Sequence, residues 1–100
     1  IIQIRGKVQQ YDIPHNTILT NSKIVSYIFN ESDVDIIRHS NITELSAMIS
    51  QQRYDCIIVL HHNRGFAYQF SDEAIEVFQR HYRNSASFGS SFSNVEIFYN

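Results

Sequence analysis

The run Cys56-Ile57-Ile58-Val59-Leu60 constrains this chain more than any other feature, because five apolar residues follow one another with no polar alternation. A strand with one wet face alternates apolar and polar side chains, whereas an unbroken run reads as a strand covered on both faces. In a small protein that cover comes from helices, so the run predicts the central strand of a layered α/β domain. At five residues it is also far short of the roughly 20 needed to cross a bilayer.

The segments around it supply the other layers. Thr17–Thr20 reads as a short strand, and the good N-cap types Thr20, Asn21 and Ser22 precede Ile24, Val25, Ile28 and Phe29 at helical spacing, which predicts a helix over Ser22–Asn30. Val34–His39 is rich in β-branched residues and reads as a strand. Ile42, Leu45, Met48 and Ile49 then define one helical face, started by Asn41 with Glu44 at capping-box spacing and ending near Arg53. Ser71-Asp72-Glu73 opens a further helix in which Ile75, Phe78 and Tyr82 share a face, with Arg80 and Arg83 late enough to suit its dipole.

The two ends of the chain read as β. Ile1, Ile2, Ile4 and Val8 among polar residues suggest a half-exposed strand closed by the turn Tyr11–Asn16, and Val95–Tyr99 alternates like a last strand at an edge. Asn84–Asn94, with five serines and Gly89, reads as a loop. The expected order is β, β-α, β-α, β, α, β: a small, mostly parallel sheet with flanking helices, its middle strands joined by right-handed crossovers. The 100 residues suffice for one such domain, and a start at Ile1 without methionine leads to the expectation that it was taken from a longer multidomain chain.

Composition removes several function classes. Eight Lys and Arg against ten Asp and Glu, spread along the chain, give no electrostatic footprint for nucleic acid or an anionic membrane. The single cysteine, Cys56, excludes a disulfide scaffold and a zinc finger, and points to a reducing compartment. No basic, apolar leader opens the chain, so the sequons at Asn30 and Asn41 are read as chance. A cytoplasmic domain, monomeric in isolation, is expected.

In open parallel sheets ligands sit beyond the carboxyl ends of the strands, here Thr20-Asn21-Ser22, His39-Ser40-Asn41 and His61-His62-Asn63-Arg64. None of these turns is glycine-rich, so a phosphate cradle is not expected. His61 and His62 invite a metal reading, with His39 or Asp35 as further partners, but consecutive strand residues point to opposite faces and cannot share an ion unless the chain turns between them, so a polar strand end is expected instead. Cys56 and His62 share a face but would lie ~20 Å apart at ~3.3 Å per residue, so a thiol nucleophile is not expected either. Asp33 with Asp35, and Glu73 with Glu76, read as solvated surface rather than acid–base pairs. Of the aromatics Phe66, Tyr68, Phe70, Phe88, Phe92, Phe98 and Tyr99, the larger part is expected to fill the core and the remainder to form a contact patch.

The stretch Val34–Leu60, with its strand, capped helix and Tyr54-Asp55 before an apolar run, resembles the second strand, second helix and third strand of response-regulator receiver domains. That similarity covers about a third of the chain and implies a flavodoxin-like fold. Receivers carry a phosphoacceptor aspartate where this chain has Leu60, an acidic pair where it has Thr20 and Asn21, and a late lysine where it has none after Lys23. The resemblance is thus to a degenerate receiver, such as the small α/β "ABL" domain of Rcs-type phosphorelay proteins, which docks other proteins and performs no chemistry. It implies a non-catalytic domain of a bacterial two-component sensor kinase, without cofactor or metal, binding a response regulator or a neighbouring phosphotransfer module. The expected contact surface is Asn21, His61, His62, Asn63, Arg64, Phe66 and Tyr68, since Arg and aromatics favour interfaces. A rival reading is one lobe of a periplasmic-type protein that binds a small molecule with the same strand ends.

Overall fold

The computed structural model describes residues 2–61, 67–89 and 94–100. Its elements are α1 (Ile2–Gln10), β1 (Thr17–Thr20), α2 (Lys23–Ile28), β2 (Asp33–Ile36), α3 (Ile42–Gln52), β3 (Cys56–His61), α4 (Asp72–His81), β4 (Asn84–Gly89) and β5 (Asn94–Tyr99). The strands form one sheet in the order β2-β1-β3-β5-β4. β1 pairs parallel with β2 and β3, while β5 pairs antiparallel with β3 and β4, so the sheet is mixed rather than mostly parallel.

The apolar run does lie at the centre, with Cys56 to Leu60 all buried. Its alternate residues serve opposite layers. Cys56, Ile58 and Leu60 pack with Ile4 and Val8 of α1 and Val25 of α2, whereas Ile57 and Val59 pack with Leu45 and Ile49 of α3 and Val77 and Phe78 of α4. Two helices on each face explain the missing alternation.

Helix boundaries follow local chemistry. Ser22 accepts from Ile24 N–H, Asn41 from Glu44 N–H and Ser71 from Ala74 N–H, each satisfying an orphan donor of a first turn. The backbone N–H of Asn41 goes to His39 Nδ1 at 3.2 Å, and Glu44 lies 3.7 Å from His39 Nε2, so a histidine stands between the two partners of the expected capping box. Arg53 ends α3 in the left-handed region at φ 50°, its N–H closing onto Ile49 C=O.

Three expectations are corrected. The first segment is a helix, because Ile4 and Val8 stand four apart, a spacing that suits a helix face as well as a strand face. It ends in a Schellman motif: Ile13 N–H reaches Val8 C=O, Asp12 N–H reaches Gln9 C=O, and Asp12 takes φ 54°. Part of the serine-rich stretch is strand β4, in which Ala86 and Phe88 are half-buried while Ser85 and Ser87 are exposed. β5 is therefore internal, with β4 as the edge. No helix among the described residues is long and apolar enough to cross a membrane.

Candidate functional site

The carboxyl ends of β1 and β3 flank the crevice where a ligand would sit in a parallel sheet with neighbours ordered 2-1-3. Asn21 occupies it. The residue is 1% exposed, and its side-chain amide lies against the last residues of β3. Leu60 N–H donates to Asn21 Oδ1 at 2.9 Å, while Nδ2 donates to Leu60 C=O at 2.8 Å and to Tyr68 C=O at 2.6 Å. The main chain of Asn21 takes part as well, its C=O accepting from Tyr68 N–H at 3.0 Å. The side chain thus imitates one more rung of the parallel ladder between β1 and β3.

Thr20 and Ser22 are equally enclosed, and their hydroxyls accept from the backbone N–H groups of Ser22 and Ile24. A buried polar group costs about 1–3 kcal/mol if left unpaired, so the three side chains are committed to shaping this turn. Beside them, Ser40 Oγ accepts from Tyr68 O–H at 2.9 Å and from Ser71 N–H at 3.0 Å. The segment 67–71 is thereby strapped across the ends of β1 and β2 into the start of α4.

The aromatic residues of this strap continue inward. Tyr68, Phe70, Phe78 and Phe98 form a chain of ring contacts with centroids 5.1–5.8 Å apart, which ties the strap to α4 and β5. Phe98 is buried, and Phe70, Phe88 and Tyr99 are half-buried, so these rings serve packing. The large aromatics exposed among the described residues are Tyr11 and Tyr27, which nothing in the spacing of the sequence set apart. Phe92 lies outside the described residues.

Of the surface expected from the sequence, Asn21 and Tyr68 are joined by hydrogen bonds and His61 follows Leu60 as the last residue of β3, while His62, Asn63, Arg64 and Phe66 lie outside the described residues. His61 is a quarter exposed and its Nε2 lies 3.3 Å from Glu96 Oε1, across β3 and β5. Among the described residues no group of three or more His, Cys, Asp or Glu is placed to hold a metal ion. Sequence reasoning missed Ser40 as an anchor, since its two donors come from residues some thirty positions away.

At the opposite end of the sheet Asp55 pins the strand starts together. Its carboxylate accepts from Asn16 and Thr17 N–H, and its own N–H donates to Thr17. Tyr82 O–H donates to Tyr54 C=O at 2.7 Å, and Tyr54 O–H donates to Asp35 at 2.5 Å. Burial, then the hydrogen bond to Asp35, holds the Tyr54 phenol well above the ordinary tyrosine value. Burial likewise pushes the Cys56 thiol up to about 12, which keeps it protonated and a poor nucleophile at neutral pH. No family model matches this chain, and no curated protein or solved structure gives a significant match.

Proposed function

We propose that this chain is a non-catalytic docking domain of a bacterial two-component phosphorelay protein, binding a response regulator or a neighbouring phosphotransfer module. The observation that carries the reading is the Asn21 amide, which fills the crevice between β1 and β3 and spends both of its donors and an acceptor on Leu60 and Tyr68. The parallel order β2-β1-β3 supports the reading, with the Asn21 side chain lying where a receiver would hold its anion and metal ion. In this reading Asn21 and Tyr68 position the surface, and His61 together with His62, Asn63, Arg64 and Phe66 forms the contact.

The test is a two-dimensional NMR titration of the labelled chain with a response regulator from the same organism, with magnesium and acetyl phosphate alone as the control. Shifts confined to His61–Tyr68 and Asn21 with the regulator, and absent with the small ions, are expected. Saturable shifts with magnesium and acetyl phosphate, or none with any regulator, overturn the reading.

A further inference from the structure

The end of the molecule away from the Asn21 crevice has a different character. There the last turns of α3 and α4 converge, and two adjoining hollows of about 740 and 490 Å³ share His81, Tyr82 and Asn100. Arg80 and Arg83 line the first and Arg53 the second. All three arginines are exposed, and none forms an ion pair among the described residues. By contrast Arg5 is paired with Glu31 at 2.8 Å, and Lys7 and Lys23 lie over tyrosine rings.

The acid in this groove, Asp55, already accepts two backbone N–H bonds. A chain of net charge −2 therefore gathers three of its eight Lys and Arg around two adjoining hollows, with no ion-pair partner for them among the described residues. Favourable interaction with the helix dipole accounts for Arg80 and His81 in the last turn of α4. It does not account for Arg83, beyond the end of α4 in the first hollow, or for Arg53 in the second, where the added positive charge offsets that gain.

We infer that this groove binds an acidic polypeptide segment in extended form. Two features select a peptide over a free anion. The arginines are divided between the two adjoining hollows, Arg80 and Arg83 in one and Arg53 in the other, which suits several carboxylates in series. The last turns of α3 and α4 also direct orphan C=O groups toward this end. An inorganic anion such as phosphate brings mostly acceptors and is disfavoured beside those carbonyls, whereas a peptide brings carboxylates for the arginines and a series of N–H donors for the carbonyls. His81 adds a position-specific contact: its Nδ1 is engaged by Val77 C=O at 2.9 Å, which fixes the ring and leaves Nε2 as its other polar atom. This surface is separate from the Asn21 crevice and the proposed contact beside it, and does not depend on either.

The experiment is an NMR titration of the labelled chain with acetyl-hexaglutamate amide, set against acetyl-hexaglutamine amide and inorganic phosphate at matched ionic strength. The acidic peptide is expected to give saturable shifts confined to Arg53, Arg80–Asn84 and Asn100. Affinity is expected to fall by about tenfold or more in the double variant Arg80→Gln, Arg83→Gln, and to stay unchanged in Arg38→Gln. Raising salt from about 20 mM to about 200 mM weakens binding progressively. Equal shifts at Lys7, Lys23 and Arg38 indicate general charge attraction and overturn the inference. Shifts of the same pattern with phosphate, no saturation, or insensitivity to the double variant overturn it too. Retained spectral dispersion in each variant separates lost binding from lost fold.

Discussion

The side chain of Asn21 holds both backbone groups of Leu60, accepting from its N–H at 2.9 Å and donating to its C=O at 2.8 Å. Thirty-nine residues separate the two in sequence, so a single amide closes the end of the β1–β3 ladder and, through Tyr68, sets the path of the strap above it.

Replacing Asn21 by alanine leaves Leu60 N–H, Leu60 C=O and Tyr68 C=O without partners in a buried place. The expected loss is about 2–4 kcal/mol in a urea unfolding titration. Asn21→Asp is expected to cost more, since it removes both donors and sets a carboxylate against two carbonyl oxygens. An aspartate variant as stable as the parent sinks the assignment.

Ser40→Ala removes the acceptor shared by Tyr68 O–H and Ser71 N–H. Global stability is expected to fall by only about 1 kcal/mol, because the site is partly solvated. Hydrogen exchange at Tyr68 and Ser71 is expected to accelerate well beyond that at Ile57 or Ile58, since the strap opens locally while the sheet stays closed. Uniform acceleration along the chain contradicts a local anchor.

Alkaline pH is expected to erode stability through Cys56 and Tyr82. Burial raises the thiol from its ordinary 9.0 to about 12, and the Tyr82 phenol from 10.0 to about 12. Between these values the unfolded chain releases protons that the folded chain retains, so folding is disfavoured progressively from about pH 9 to about pH 12. Each group contributes a slope of at most about 1.4 kcal/mol per pH unit. Cys56→Ala is expected to flatten the lower part of that window, measured by chemical denaturation at stepped pH. Labelling of Cys56 by iodoacetamide at neutral pH is expected only as fast as the core opens.

Arg53 holds a left-handed conformation that costs an L residue about 1–2 kcal/mol. Arg53→Gly removes that strain at the expense of greater unfolded-state entropy, for a net gain of about 0.5–1 kcal/mol and a rise of several degrees in Tm. A lower Tm in calorimetry refutes this account of the α3 terminus.

Much of the fold is legible from short-range chemistry. Asn41 and the Ser71-Asp72-Glu73 start announce their helices because a cap is a bond between residues two or three apart, and of the three cap types Thr20, Asn21 and Ser22 the structure uses Ser22. The unbroken run at Cys56–Leu60 announces a central strand because its covering must come from both sides. Ile4 and Val8 were ambiguous, since a spacing of four satisfies a helix face and a strand face alike, and only the space beside Ile58 and Leu60 selected the helix. In β4 the Ser and Ala residues carry little intrinsic strand preference, and pairing with β5 supplied the structure.

The candidate sites divide in the same way. By itself the sequence determined that polar residues close β1 at Asn21 and β3 at His61, because such turns follow buried strands; β2 ends at Ile36 instead of the expected His39, so Ser40 sits in the connection to α3. Only the tertiary structure decided that Asn21 turns inward to bond Leu60, that Ser40 anchors a strap arriving from beyond β3, and that Arg53, Arg80 and Arg83 line two adjoining hollows. Each of those facts depends on residues far apart in the chain being brought within a few ångströms, which is settled by how the layers pack and not by any local preference.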